Sequence, residues 1–119
     1  MLLALLEEMD YDYIGHFYGY FAVACKNGKY FHITSDGEPA YEQRYDFVGP
    51  FISGVAVACK NGRCFHIYPN GEPIYKERYD LVGPFKSPSL VNYAEAWKDG
   101  KYFHLIWKEG KIVEEKQHA

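Results

Sequence analysis

A chain of 119 residues carries one domain's worth of core and is too short for two independent ones. Its formal net charge of −3, with Lys and Glu interspersed, leaves no basic patch to neutralise phosphates, so nucleic acid is not an expected partner. Twelve Tyr, eight Phe and 11 Gly favour short strands and tight turns over helices, and the expected class is all-β.

The opening MLLALLEEM is apolar but has no basic start, and Glu7, Glu8 and Asp10 interrupt it well short of a membrane-spanning length. It reads as neither a signal peptide nor a membrane anchor. Aligned on the copies that follow, residues 1–10 look like the degenerate tail of an earlier repeat, recast as a cap. Leu2, Leu3, Leu5, Leu6 and Met9 would line one side of a short helix. Two uses for those leucines stay open: folding back on the first repeat, or meeting a second chain in a symmetric homodimer.

From Tyr11 the chain repeats itself. Residues 11–44 (YDYIGHFYGYFAVACKNGKYFHITSDGEPAYEQR) and 45–78 (YDFVGPFISGVAVACKNGRCFHIYPNGEPIYKER) are copies, and 79–119 is a third, lengthened copy with a C-terminal tail. The period of 34 implies a stack, an array or a propeller within a single domain.

Within each copy the strongest local signal is Asn27-Gly28, Asn61-Gly62 or Asp99-Gly100, the residue pairs that tolerate positive φ in a type I′ hairpin turn. A two-residue loop fixes the register, pairing Lys26 with Lys29, Cys25 with Tyr30, Ala24 with Phe31, Val23 with His32 and Ala22 with Ile33. The pleat then places Ala22, Ala24, Phe31 and Ile33, with their equivalents, on one core face. The opposite face, carrying Phe21, Val23, Cys25, Tyr30 and His32, is also mostly apolar, so both sides of the sheet are expected to be covered. A second turn at Asp36-Gly37, Asn70-Gly71 and Glu109-Gly110 predicts a third short strand over Glu38–Tyr41, Glu72–Tyr75 and Lys111–Glu114. Pro39 and Pro73 would make that strand an edge. The link Tyr-Asp-x-Val/Ile-Gly-Pro/His-Phe supplies a fourth extended segment. In the third copy, Lys86-Ser87-Pro88-Ser89 lengthens the connection, Glu95 and Trp97 replace Val57 and Cys59, and the charged Glu114-Glu115-Lys116 suits edge protection. The expected fold is therefore three tandem antiparallel hairpin or meander repeats in an open array, with propeller-like blades as the alternative.

The turn residues, the period and the Tyr-Asp to Gly-Pro-Phe link together resemble the bacterial WG-repeat family over residues 11–116. The namesake Trp-Gly is replaced by Tyr30-Phe31, Cys64-Phe65 and Tyr102-Phe103, marking a divergent branch. The resemblance implies a non-catalytic binding or scaffolding role with no catalytic residues to carry over.

The remaining constellations favour packing over chemistry. His32, His66 and His104 recur one repeat apart, whereas a zinc site needs ligands converging on one point, so no metal or cofactor is expected. Cys59 and Cys64 face each other where the sister copies have Cys-Tyr and Trp-Tyr. The three cysteines read as small apolar fillers in a reducing, cytoplasmic setting, with a Cys59–Cys64 bridge open only under oxidising conditions. Arg44 and Arg78, at the copy junctions, would pair with a neighbouring Asp, cap carbonyls or form a peptide-recognising rim. The functional expectation is a protein-interaction module, not an enzyme, with Tyr18, Tyr20, Tyr68, Tyr75, Trp97 and Trp107 as candidate anchors. Glycan or small-molecule binding through the same aromatics is the alternative, and the protein partner itself stays unnamed.

Overall fold

The computed structural model describes residues 10–86, 92–108 and 111–116, so the leucine-rich start, the Glu109-Gly110 turn and most of the lengthened third connection lie outside the described residues. The described chain is all β, in three antiparallel sheets, none closed into a barrel. The first sheet holds β1 (Tyr13–Ile14), β2 (Phe21–Lys26) and β3 (Lys29–Thr34); the second holds β4 (Phe47–Val48), β5 (Ala56–Lys60) and β6 (Arg63–Ile67). The third holds β7 (Leu81–Val82), β8 (Asn92–Lys98), β9 (Lys101–Lys108) and β10 (Lys111–Lys116), in the order β10-β9-β8-β7.

Each hairpin follows its turn chemistry. Asn27, Asn61 and Asp99 have φ of 53–54° and the glycines after them 75–77°, the pair of positive angles that a type I′ turn requires. The resulting register matches the expected one, from Lys26↔Lys29 to Ala22↔Ile33, with equivalents in the other two hairpins. Ala24 and Phe31 are buried opposite each other, as are Ala58 and Phe65, and Ala96 and Phe103. Small opposite large lets each aromatic ring lie across its partner strand without overpacking. Arg44 and Arg78 cover those rings from outside, their guanidinium carbons 4.0 Å and 4.1 Å from the ring centroids of Phe31 and Phe65. The same groups donate to the carbonyls of the three residues before them, so of the roles expected for these arginines, carbonyl capping is the one the structure shows.

The third strand is shorter than expected in copies 1 and 2. It shrinks to single bridges, Ile33↔Pro39 and Ile67↔Pro73, whereas copy 3, with no proline there, pairs β10 with β9 over six residues. The hydrogen bonds flank each proline: Thr34 N–H to Glu38 O and Ala40 N–H to His32 O, then Tyr68 N–H to Glu72 O and Ile74 N–H to His66 O. The proline therefore sits in a non-hydrogen-bonded pair where its missing N–H costs nothing, but the fixed ring stops the ladder from extending.

Consecutive sheets are joined by the Tyr-Asp link. Tyr45 exchanges both backbone hydrogen bonds with Tyr30 of the preceding hairpin, and Tyr79 does the same with Cys64. Two residues further on, Phe47 and Leu81 begin the first strand of the next sheet. The molecule measures 50 × 30 × 20 Å with a radius of gyration of 15.3 Å, longer than the about 13.5 Å of a compact chain of this length.

At Gly71, copy 2 lies close against Tyr41 of copy 1. Gly71 has φ of +85°, and a Cβ there would come within 2.6 Å of Tyr41 Cγ. Gly62 has a similar φ of +77° with nothing within 4 Å. Gly62→Ala should therefore cost only left-handed strain, about 1 to 2 kcal/mol, while Gly71→Ala adds a steric clash between copies and should cost clearly more in urea unfolding. Equal costs would refute the close approach of Tyr41. Phe65→Ala, at the centre of the middle hairpin, should cost about 3 to 5 kcal/mol in the same assay.

Candidate functional site

The most constrained polar groups lie at the junctions. His32 and His66 are buried on the hairpin face opposite the Ala–Phe pairs, each clasped from both sides. Nε2 of His32 is 2.8 Å from Gly49 O, and Nδ1 is 2.6 Å from the Tyr41 hydroxyl; His66 repeats this with Gly83 O at 2.8 Å and Tyr75 at 2.7 Å. A carbonyl can only accept, so Nε2 carries the proton and Nδ1 accepts from the tyrosine hydroxyl. Burial raises the pKa of Tyr41 and Tyr75, keeping both hydroxyls protonated as donors. Burial likewise lowers both histidines to about 4, opposed by the carbonyl contacts. Phe51 lies over His32 at 4.2 Å and Phe85 over His66 at 4.6 Å, so each imidazole is covered by the Gly-Pro-Phe of the copy that follows.

His104 has a different setting. Tyr93 of its own copy stacks on it at 4.9 Å, and the Tyr102 hydroxyl lies 3.1 Å from its Nε2 while donating to Glu95 Oε2 at 2.7 Å. Lys86 completes this cluster on Glu95 Oε1 at 2.9 Å, and the Tyr102 and Lys86 contacts hold the Glu95 carboxyl below its ordinary range. The expected Glu95–His104 pairing holds in register, with Tyr102 linking the two side chains. Among the described residues no three His, Cys, Asp or Glu groups converge as a metal site.

The junction aspartates act as two-sided clamps. Asp46 Oδ2 accepts from Asn61 N–H of its own hairpin turn at 2.9 Å, while Oδ1 meets Lys29 Nζ of the preceding turn at 2.5 Å. Asp80 repeats this with Asp99 N–H and Arg63. The paired tyrosines add hydroxyl bonds, Tyr11 to Gly37 O and Tyr45 to Gly71 O.

Cys59 and Cys64 are joined as a disulfide, a correction to their reading as plain fillers, while Cys25 is a free thiol. The register explains the closeness: Cys64 gives its N–H and C=O to Tyr79, so the Cys59–Cys64 pair is non-hydrogen-bonded, the kind in which side chains approach most closely.

Exposed apolar surface gathers along the links. Tyr13, Phe47 and Leu81 occupy one repeat position and are 53%, 49% and 53% exposed. Tyr13 and Phe47, with Tyr18, Phe21, Tyr30 and Phe51, line a groove of about 450 Å³ between copies 1 and 2. A smaller cavity of about 320 Å³ between copies 2 and 3 brings Tyr68 and Trp107 together.

Residues 8–30 and 33–64 match the family model of the WG containing repeat. The chain carries WG-containing repeats over just under half of its length. No curated protein and no solved structure matches it.

The WG-repeat geometry sorts the six anchors read from sequence. Tyr18 is exposed and lines the larger groove, whereas Tyr20, the most exposed at 78%, is in neither cavity. Tyr68 and Trp107 share the smaller cavity, and Trp97 is partly exposed, stacked on Tyr102 and paired with Leu81. Tyr75 is committed to the core, its hydroxyl on His66 and its ring edge-on to Tyr79. Tyr13, Phe47 and Leu81 were missing from the sequence reading. Their signal was an apolar residue in all three copies at the link position just before an Ile or Val that faces the core, so that alternation puts it outside.

The buried histidines set a pH dependence. Above pH 6.5 they are neutral in both folded and unfolded chains, and their contribution is fully present. Between 6.5 and about 4 the unfolded chain takes up protons that the folded chain excludes, so stability falls with pH by up to about 3 kcal/mol per histidine. Histidine NMR titration should show His32 and His66 still neutral at pH 5.5, and midpoints near 6.5 would refute the clasp.

Proposed function

We propose that this WG-repeat chain is a non-catalytic binding module whose ligand is a protein segment, taken up in the groove between copies 1 and 2. The observation that carries this reading is the recurrence of a half-exposed large apolar residue at one link position, Tyr13, Phe47 and Leu81. The core does not need these side chains outside, and apolar surface kept exposed at the same place in successive repeats suits contact with another molecule.

The groove favours an extended peptide. Its lining combines the aromatic residues Tyr13, Tyr18 and Phe47 with Gly49 and Pro50, a set suited to contact with the side chains and backbone of a peptide. The chain already docks such a segment on itself: Gly49-Pro50-Phe51 lies against His32 and Phe21 beside the same groove. A role without chemistry is supported by His32 and His66, whose ring nitrogens are both occupied, Nε2 by a carbonyl of the following copy and Nδ1 by a tyrosine hydroxyl of their own. The acidic balance of the chain supports a partner other than nucleic acid.

Selection from a phage-displayed library of linear peptides should enrich binders that a Tyr13→Ser/Phe47→Ser double variant weakens about tenfold or more. Because both side chains are about half exposed, the variant should keep its stability within about 1 kcal/mol. Binders indifferent to the double substitution, or no enrichment at all, would end this reading.

A further inference from the structure

Three residues around the cavity between copies 2 and 3 stand at positions where the copies differ. Tyr68 stands where copy 1 has Thr34, and Trp107 stands where copies 1 and 2 have Ser35 and Pro69, as the pairing of Ile33, Ile67 and Leu105 with Ala22, Ala56 and Ala94 fixes. Asn92 likewise stands where those copies have Tyr20 and Gly54. Positions that recur record what each copy must bury, whereas these three depart from the pattern together and meet at one cavity. Tyr68 is 40% exposed and Trp107 half-buried, so neither is consumed by the core, while buried Phe85 forms an apolar floor.

We propose that this cavity binds a neutral saccharide, one or two rings in size, stacked on Tyr68 and Trp107 and hydrogen-bonded through Ser53 and Asn92. The volume of about 320 Å³ lies at the lower end for small-ligand sites. All the described lining residues are uncharged, so a phosphate-bearing ligand would find no counter-charge among them. A purely apolar ligand would strip water from the hydroxyls of Ser53 and Tyr68 without replacing its hydrogen bonds. A sugar ring answers both constraints: its C–H face suits an aromatic surface, and its hydroxyls donate and accept around the rim. This site lies apart from the groove between copies 1 and 2, and either can hold without the other.

The test is an amide-resolved NMR titration of the full chain with N-acetylglucosamine, methyl β-galactoside and maltotriose, preceded by a neutral-glycan array to extend the panel. Saturable shifts are expected at Ser53, Gly54 and Asn92 and at the Trp107 indole N–H, with affinity weakened about tenfold or more by Tyr68→Ala. Tyr68 is partly exposed, so that variant should stay folded; Trp107→Phe, which keeps a ring in place, serves as a second check and should weaken binding more mildly. Silence across the whole panel, shifts unaffected by Tyr68→Ala, or equal or tighter binding of adenosine or indole at the same residues would overturn the assignment.

Discussion

The structure depends on a segment of chain that belongs to two sheets at once. Tyr45 closes a reciprocal pair of backbone hydrogen bonds on Tyr30, and Phe47 and Val48 then pair with Cys59 and Ala58 of the next sheet. A short strand that served one sheet alone could slide or fray, but here displacing it breaks two ladders together. Asp46 adds a carboxylate that holds the hairpin turns on either side, so the distance between successive turns is set by one side chain. The exposed ion pair by itself contributes little in water. Its value lies in geometry, since the same group satisfies a turn amide that the hairpin cannot satisfy internally.

The histidine clasp follows from that arrangement. Once the link has crossed from one sheet to the next, Gly49 O faces the preceding hairpin and needs a donor that reaches over from it. An imidazole reaches with Nε2 while Nδ1 turns back to a tyrosine nine residues later in its own copy. A lysine there would bury a charge, and an amide would lack the ring that Phe51 covers. The recurrence of His32 and His66 is therefore a packing requirement expressed through a residue whose chemistry usually suggests a reactive role.

Legibility from sequence tracks how local the cause is. Hairpin registers were readable because two adjacent residues, Asn-Gly or Asp-Gly, dictate them, and the core face followed by alternation. The third strand was misjudged in extent because its length depends on where Pro39 and Pro73 fall relative to the ladder's hydrogen bonds, which composition alone does not show. The sulfur bridge was visible as a pairing of Cys59 with Cys64, and the two-residue turn already makes that pair a non-hydrogen-bonded one, whose outward backbone groups Tyr79 then takes up. Of the candidate anchors, Tyr75 was absorbed by His66, a contact nine residues apart and set by the way the second turn folds back. The meeting of Tyr68 with Trp107 spans two copies and could only emerge from their placement.

The third copy offers a face unlike those of the first two. In copies 1 and 2 the histidine face receives an apolar Gly-Pro-Phe segment, and the residue opposite each histidine is Val23 or Val57. In copy 3 that residue is Glu95, and Tyr93 takes the stacking place over His104. Seating another apolar segment there would desolvate a carboxylate already bound to Tyr102 and Lys86, a cost that the same face in copies 1 and 2 does not carry. On the adjoining edge, β10 runs along β9 with no proline to cut it short, filling backbone positions that a single bridge leaves open in the earlier copies. The third copy thus presents a polar face and a continuous edge where copies 1 and 2 present an apolar face and a single bridge.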